Sequence, residues 1–393
     1  KAPAYIAATG AGDADRGLAI ILSDNPLPAI TGVLCDHVCQ EHCSRVDYEG
    51  AVRIRDVKLA TVRAARPMDN MQPAYPHVPR GATAVIGAGP AGLACAWHLA
   101  HHGQKVVVFD RRPAPGGVPA HIIPSFRIAR EDLAADVQRL EKLGVTFRFG
   151  VEIRNPDELL RQGFDSLFIA SGAARARELS LQGDGVKVVH ALDFLEACME
   201  EGMASMQGIR NVLVVGGGNT ACDAVRMAVR IPGVAAVRWS YRRTRREMPA
   251  DLEELSLALQ EAQALAQAQG SEGEVFLELS LPESIDAGTV TLRRMKLGDK
   301  DASGRRKPVP TEETFSLPCD LLVTAVGEEP DPEFLKSFGI EIGRNGLPVA
   351  DPKTMEAAPG VYVGGDARRG PSSIIAAEAD GRAAARAILA RHG

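Results

Sequence analysis

The sequence predicts an α/β fold, with two Rossmann-like dinucleotide-binding domains behind a helical N-terminal domain. Three observations predict it. Two glycine-rich turns, at Gly87 and Gly216, each follow a short β-branched apolar run and open a helical stretch, the strand–turn–helix order of a phosphate-cradling loop. The second turn arrives before the first pattern is finished, because buried-strand runs that stop at glycine return at 320–327 and 360–366. Ahead of both, residues 1–66 carry helical patterns and three cysteines crowded into nine residues. The expected boundaries are 1–79 for the helical domain and linker, 80–190 plus 320–393 for one nucleotide domain, and 191–319 for the other.

A chain of 393 residues is long enough for two or three domains with proper cores. Its 39 glycines and low aromatic content suit backbone that approaches phosphates. A net charge of −5 gives no reason to expect nucleic acid or an anionic membrane as partner. No apolar run reaches the ~18–20 residues of a membrane span, and no signal-peptide pattern opens the chain, so a cytoplasmic protein is expected. The first residue is Lys1 rather than Met, which points to a fragment. Seven cysteines with no Cys-x-x-Cys pair argue against a disulfide framework and against a redox dithiol.

In chain order, turn signals at Asp24-Asn25-Pro26 and Thr31-Gly32 punctuate the N-terminal helices, and Cys35-Asp-His-Val-Cys39-Gln-Glu-His-Cys43 follows. Cysteines four apart could share a helical face or fold round an iron–sulfur cluster, whose usual ligands are thiolates. A cubane takes about four ligands, and no fourth cysteine lies nearby. Three readings stand: cluster ligands completed from upstream sequence, three buried or free thiols, or zinc held with His37 or His42. Residues 67–80, with Pro67, Pro73, Pro76 and Pro79, read as a semi-rigid linker.

Thr83–Ile86 reads as a buried strand, and Gly87-Ala88-Gly89-Pro90-Ala91-Gly92 fits G-x-G-x-x-G. The first glycine permits the tight turn, the second lets backbone approach a pyrophosphate, and the third lets helix pack on strand. Helix continues through His101, with Cys95 as core, and strand Lys105–Phe109 ends at Asp110, whose carboxylate can accept hydrogen bonds from a ribose. The basic loop Arg111-Arg112-Pro113-Ala114-Pro115-Gly116-Gly117 can wrap an adenine nucleotide. Val118–Arg127 is apolar and interrupted by Pro124; residues 131–143 form an amphipathic helix with Leu133, Val137, Leu140 and Leu143 on one face. Strands Thr146–Phe149 and Ser166–Ala170 follow, the latter running into Ser171-Gly172-Ala173, where small residues let backbone lie close to a cofactor.

The second pattern places strand Val212–Val215 before Gly216-Gly217-Gly218-Asn219-Thr220-Ala221, a G-x-G-x-x-A turn, then helix Thr220–Arg230 and strand Ala235–Trp239. The acid expected after that strand is missing. Ser240-Tyr241-Arg242-Arg243-Thr244-Arg245-Arg246 stands in its place. A carboxylate would repel a 2′-phosphate, whereas arginines offer it charge-assisted bidentate bonds, which selects NADPH over NADH. Residues 252–269 read as helix, Glu274–Leu281 and Val290–Met295 as two strands of a small antiparallel excursion, and Asp299–Lys307 as a loop. Asp320–Val326 is a buried strand ending at Gly327, and Gly360–Val363 is another, stopping at Gly364-Gly365-Asp366. A helix from Ser372 would present free N–H groups near Asp366, suited to an electron-rich group such as the pyrimidine edge of a reduced flavin. Candidate cofactor contacts on this reading include Pro90, Ala91, Arg111, Ser171, Gly172, Gly327 and Ser373.

The motifs GAGPAGLACAWHLA, APGG, IIPSFR, GGGNTACDAVRMA, YRRTRREMPA and GGDARRGPSSIIAAEADGRAA resemble those of the glutamate synthase small subunit family over the chain from residue 31 onward. GVPAHIIPSFRI and GPSSIIAAE look most like its branch of selenate reductase iron–sulfur subunits. The resemblance implies a two-dinucleotide-binding-domain flavoprotein, with FAD at Gly87, Gly89, Gly92 and Asp110 and the flavin nearer Gly117, Pro124, Gly365 and Asp366. It implies NADPH at Gly216, Gly218, Asn219, Thr220, Arg242 and Arg243. It further implies [4Fe-4S] clusters in the N-terminal domain, here with Cys35, Cys39 and Cys43 as ligands, and a larger catalytic subunit or domain as electron acceptor. This sequence departs from the pattern in carrying only the second cysteine group, at tighter spacing, with Leu59 about where some members place a non-cysteine ligand. The expected function is an electron-input module: NADPH reduces FAD, and electrons pass through iron–sulfur centres to a partner. A stand-alone NADPH:acceptor, ferredoxin–NADP or disulfide reductase is the alternative, and a non-catalytic scaffold or redox sensor the rival from another class.

Overall fold

A computed structural model describes residues 1–66, 81–271, 273–301 and 304–392; the proline-rich run read as a linker lies outside the described residues. Short helices α1 (Ala2–Gly10), α2 (Ala14–Leu22), α3 (Pro28–Leu34), α4 (Val38–Glu41) and α5 (Ile54–Ala64) open the chain. The next stretch is β1 (Ala82–Ile86), α6 (Pro90–His101), β2 (Lys105–Asp110), α7 (Val118–His121), α8 (Arg130–Lys142), β3 (Thr146–Phe149), α9 (Pro156–Arg161) and β4 (Ser166–Ile169). Then come β5 (Arg175–Ala176), β6 (Gln182–Gly183), β7 (Lys187–His190), α10 (Ala191–Glu200), β8 (Asn211–Gly216), α11 (Asn219–Val229), β9 (Ala236–Tyr241) and α12 (Leu252–Ala268). Strands β10 (Phe276–Glu278), β11 (Ser280–Asp286), β12 (Thr289–Lys300), β13 (Arg306–Pro318) and β14 (Leu321–Ala325) follow. The chain closes with β15 (Glu328–Glu329), α13 (Pro332–Ser337), β16 (Glu356–Ala358), β17 (Val361–Val363), α14 (Asp366–Arg369) and α15 (Ile374–His392).

The chain divides into two compact units: 1–120, 125–175 and 328–393 in the first, 121–124 and 176–327 in the second. The first unit is built on a sheet of order β16-β17-β4-β1-β2-β3, parallel except for the β16–β17 edge. β1 sits inside the sheet, with β4 on one side and β2 on the other, so the loop that leaves it opens at a reversal of strand order, where α/β sheets bind ligands. Ala84, Ile86, Phe109, Leu167, Ile169 and Val363 bury one face of this sheet together with Leu159 and Leu335 of the flanking helices. Each such large apolar side chain contributes about 1.5–3 kcal/mol.

The N-terminal helices belong to this unit, and a buried carboxylate shows why. Asp136 of α8 is fully buried and accepts the backbone N–H groups of Ala29 (3.0 Å) and Ile30 (2.9 Å), two otherwise unsatisfied donors at the start of α3. Burial pushes Asp136 up to about 6, against the pull of Arg139 and of those two N–H groups. Arg63 pairs with Asp132 at 2.7 Å beside it.

The second unit has an all-parallel sheet of order β10-β9-β8-β14-β7 and a smaller sheet β13-β12-β11-β6. Leu213, Val215, Val290, Leu292 and Leu322 share one core beneath both. Three expectations change here. Strand β14 was expected in the first nucleotide domain, but it pairs with β8 through Leu321↔Val212 to Ala325↔Gly216, so the boundaries move to 175/176 and 327/328. The run 274–281 is not one strand: Leu279 takes a left-handed φ of 51°, which ends β10 in the parallel sheet and starts β11 in the other. The loop expected over 299–307 gives way at Arg306 to β13, which pairs antiparallel with β12 from Arg306 to Pro318.

Candidate functional site

The first cradle grows from β1. Gly87 has φ 108°, and a Cβ there would lie 2.2 Å from the Ala170 carbonyl oxygen; a Cβ on Gly92 would lie 1.9 Å from the Gly87 carbonyl oxygen. Contact requires glycine at both positions, and at Gly87 the backbone conformation requires it too. Helix α6 then starts at Pro90 with Gly89 as its cap residue and no side-chain cap, so its first N–H groups stay available to an anion. Asp110 holds the loop from the next strand: one carboxylate oxygen accepts from Ala88 N at 2.7 Å and the other from Arg112 N at 2.8 Å. The loop after Asp110 folds back onto the turn, with Gly116 N donating to Ala88 O at 2.8 Å and a Cβ on Gly117 only 2.7 Å from Gly89 Cα. Ala91 is buried behind the turn, while Arg111 and Ser171 are exposed and Gly172, with Gly89 and Pro90, is half-buried. These are the narrow, side-chain-free surfaces that a dinucleotide pyrophosphate needs.

The C-terminal strand completes this side of the first unit. Gly364 N donates to Ile169 O at 3.0 Å, aligning β17 with β4, and Gly365 N donates to Asp380 at 2.9 Å. Asp366 accepts from Ser372 N (3.0 Å) and Ser372 Oγ (3.1 Å), and burial pushes it up to about 6. Ser373 Oγ accepts from Ala376 N at 3.2 Å just ahead of α15, which starts at Ile374, two residues later than expected.

The second cradle repeats the turn with different supports. Gly216 leaves β8 with a would-be Cβ 2.2 Å from Ala325 O, and Trp239 Nε1 donates to Gly216 O at 2.8 Å. The Tyr241 ring lies over Gly217, where a Cβ would sit 2.3 Å from it, and the Tyr241 hydroxyl donates to Glu247 O at 3.0 Å. Open space surrounds Gly218, the position where backbone must approach a phosphate. Asn219 spends its side-chain oxygen on Asp251 N at 2.8 Å, bringing the 244–251 loop back to the turn; Thr220 is half-buried at the start of α11.

The arginines divide. Arg242 is exposed, but Arg243 is buried, its guanidinium donating to Arg306 O and to Asp301, each at 2.7 Å. Arg243 therefore serves the hairpin rather than a 2′-phosphate, a correction to the sequence reading. A cavity of about 830 Å³ opens instead among Thr244, Arg245, Arg246, Glu278, Leu297 and Arg306. Arg245 and Arg246 are exposed beside it and were passed over as site residues, although they stand in the same run. Arg306 had no sequence signal, because only the β12–β13 hairpin brings it here. Pro124, expected nearer the flavin, and Gly327, expected as a cofactor contact in the first nucleotide domain, fall in the second unit, Gly327 because it follows β14.

The cysteine segment does not form a single helical face. Cys35 caps the end of α3, His37 takes a left-handed φ of 41°, and α4 is one turn long. The Cys43 thiol is drawn below its usual range by N–H groups of Val52 and Arg45, while burial lifts Cys35, next to Lys58. Among the described residues no three His, Cys, Asp or Glu side chains gather to hold a metal ion. Cys35, Cys39 and Cys43, expected as cluster ligands, lie at the end of α3, within α4 and just past it.

Residues 81–381 match the family model of pyridine nucleotide-disulphide oxidoreductases. The chain belongs to that family. Residues 1–69 match the 4Fe-4S cluster domain II of dihydropyrimidine dehydrogenase. Among curated proteins, YgfK of Escherichia coli is 41% identical over 99% of this chain. The glutamate synthase [NADPH] small chain of Azospirillum brasilense is 31% identical over 99% of this chain and 83% of its own length. The chain spans 37% of YgfK and 57% of the NADP(+)-dependent formate dehydrogenase subunit beta of Moorella thermoacetica, to which it is 36% identical. FprA of Mycobacterium tuberculosis, solved with NADPH, shares the fold at TM-score 0.65 and 20% identity over 80% of this chain and 84% of that one. Family and fold make the chain a flavoprotein oxidoreductase of the FAD- and NADP-binding type. No helix among the described residues is long and apolar enough to cross a membrane.

Proposed function

We propose that this chain is the electron-input module of a larger redox enzyme: it takes hydride from NADPH onto FAD and delivers the electrons to a partner subunit or domain. The observation that carries this reading is the pair of glycine cradles, one closed by Asp110 and the other ending in an arginine-lined cavity. The first unit holds FAD, with its pyrophosphate on the Gly87–Gly92 turn and Asp110 toward a ribose. The second holds NADPH, with Gly218 at the pyrophosphate and Arg245 and Arg246, joined by exposed Arg242, reading the 2′-phosphate.

What the chain contributes to the reaction is binding and orientation, since hydride transfer between rings needs alignment more than acid–base groups. The bound flavin supplies the ability to accept two electrons and release them singly. Relatives described as a small chain and as beta subunits support a partner as acceptor. The match to a 4Fe-4S domain supports iron–sulfur centres as the one-electron carriers, for which Cys35, Cys39 and Cys43 would supply thiolate ligands.

The test is an anaerobic absorbance titration of the purified chain after incubation with FAD. Flavin bands that bleach with NADPH at concentrations well below those needed for NADH are expected. A chain that takes up no FAD, or that responds equally to both nucleotides, overturns the proposal.

A further inference from the structure

We infer that Asp380 is a positioning residue for the flavin site, a single buried carboxylate that holds the 364–370 turn in place; this rests on the reading that the first unit binds FAD. Asp380 lies in α15 at 3% exposure. One of its oxygens accepts from Gly365 N at 2.9 Å and from Arg368 Nε at 3.2 Å; the other accepts from Arg368 Nη2 at 3.2 Å and from Arg369 Nη2. Four N–H groups from three residues of one turn converge on it.

Inside the turn Arg368 N and Arg369 N donate to Gly365 O, and Gly370 N to Asp366 O; Asp380 is what ties it to α15. Gly365 sits at φ 65°, ψ −149°, a conformation open essentially to glycine alone, and such strain persists only where surrounding bonds over-determine it. A Cβ on Gly365 would lie 2.8 Å from Ala91 Cβ, so the turn rests on the helix that leaves the first cradle. The residue after Asp380 fixes the other side: a Cβ on Gly381 would lie 2.2 Å from Ala91 O and 2.8 Å from Cys95 N. Asp380 is therefore locked in height against α6, and it passes that registration to Gly365 and, one residue on, to Asp366. A second consequence is electrostatic. Two guanidiniums, of Arg368 and Arg369, meet the Asp380 carboxylate, and with Asp366 in the same turn the charges balance only while Asp380 is present. Removing that anion strengthens the positive field where an electron-rich reduced flavin would lie.

The experiment uses the full chain with Asp380→Asn and Asp380→Ala. Two quantities are measured: FAD affinity, by titrating the deflavinated protein, and flavin midpoint potential, by equilibration with a reference dye. Asn keeps an oxygen for Gly365 N but loses the charge, so FAD affinity is expected to stay within about threefold while the potential moves positive. Ala loses both, and FAD affinity is expected to fall at least about tenfold. Wild-type affinity and potential in both variants overturn the inference, because a residue that only paired helices would move neither. If the Ala variant does not fold, the potential of the Asn variant decides. A wild-type chain that takes up no FAD overturns the flavin reading, and this inference with it; FAD taken up by wild type with neither affinity nor potential moved in the variants overturns the inference alone.

Discussion

The first cradle is closed by a carboxylate, and the second by an aromatic ring. In the first, Asp110 accepts two backbone N–H groups and the third glycine is forced by a contact of 1.9 Å. In the second, Tyr241 covers Gly217 and the third position is Ala221, fully buried without a clash. The same supersecondary unit is thus braced by charge in one case and by packing in the other. The difference matters for ligand choice. A cradle braced by an anion keeps that anion beside the ribose, whereas one braced by a ring leaves its rim free for cations.

The sharpest break in the comparison is at the third position. Gly92→Ala is expected to cost more than about 3 kcal/mol in chemical unfolding and to abolish flavin retention, because backbone must move. The reciprocal Ala221→Gly is expected to cost only about 0.5–1 kcal/mol, the ordinary penalty of glycine in a helix. Equal penalties would show that the two turns pack alike after all.

At the rim, Arg245→Ala combined with Arg246→Ala is expected to weaken NADPH relative to NADH by about 1.5–3 kcal/mol per lost charged hydrogen bond, measured as the ratio of kcat/KM values. Arg243→Ala is expected to leave that ratio unchanged and instead to lower the melting temperature, because Asp301 and the Arg306 carbonyl lose their donor. A ratio that follows Arg243 would return the specificity to the buried arginine.

The smallest effect concerns pH. Burial raises Asp366 from 3.8 to about 6, so the folded state keeps a proton there that the unfolded chain has already released. The stability owed to this group is present at low pH and is lost as pH rises from about 4 to about 6. The unfolding free energy of wild type relative to Asp366→Asn is expected to fall by about 1–3 kcal/mol between pH 4 and pH 7. The Arg245 and Arg246 variants should show no such slope, since arginine does not titrate in that range.

Both glycine turns, their strands and their helices were legible because each is local: β-branched run, glycines and amphipathic helix lie within thirty residues or so. Helices α9 and α13 went unread although Asn155-Pro156 and Asp331-Pro332 carry N-cap and first-turn signals, and both caps form as such signals demand. The placement of β14 was not legible, since its apolar run fits a buried strand of either sheet and only the register against β8 decides. The role of Arg243 failed for a related reason: its partners, Asp301 and Arg306, lie about sixty residues downstream on a hairpin of which only one strand, β12, was read, and that in part. The cysteine segment was legible as a candidate ligand set from its crowded thiolates and the family resemblance, but the left-handed residue at His37, which turns the chain between Cys35 and Cys39, leaves no mark in the sequence.

The interrupted first sheet has a consequence for birth rather than for catalysis. Strand β4 waits for β17, its parallel neighbour, while residues 176–327 emerge and fold from the ribosome. During that interval the Ser166–Ile169 edge, buried in the finished protein, has an open row of N–H and C=O groups. Synthesis of the nascent chain therefore passes through a stage with a sticky, half-closed sheet. Slow translation across the second unit lengthens that exposure, and chaperone dependence would concentrate there.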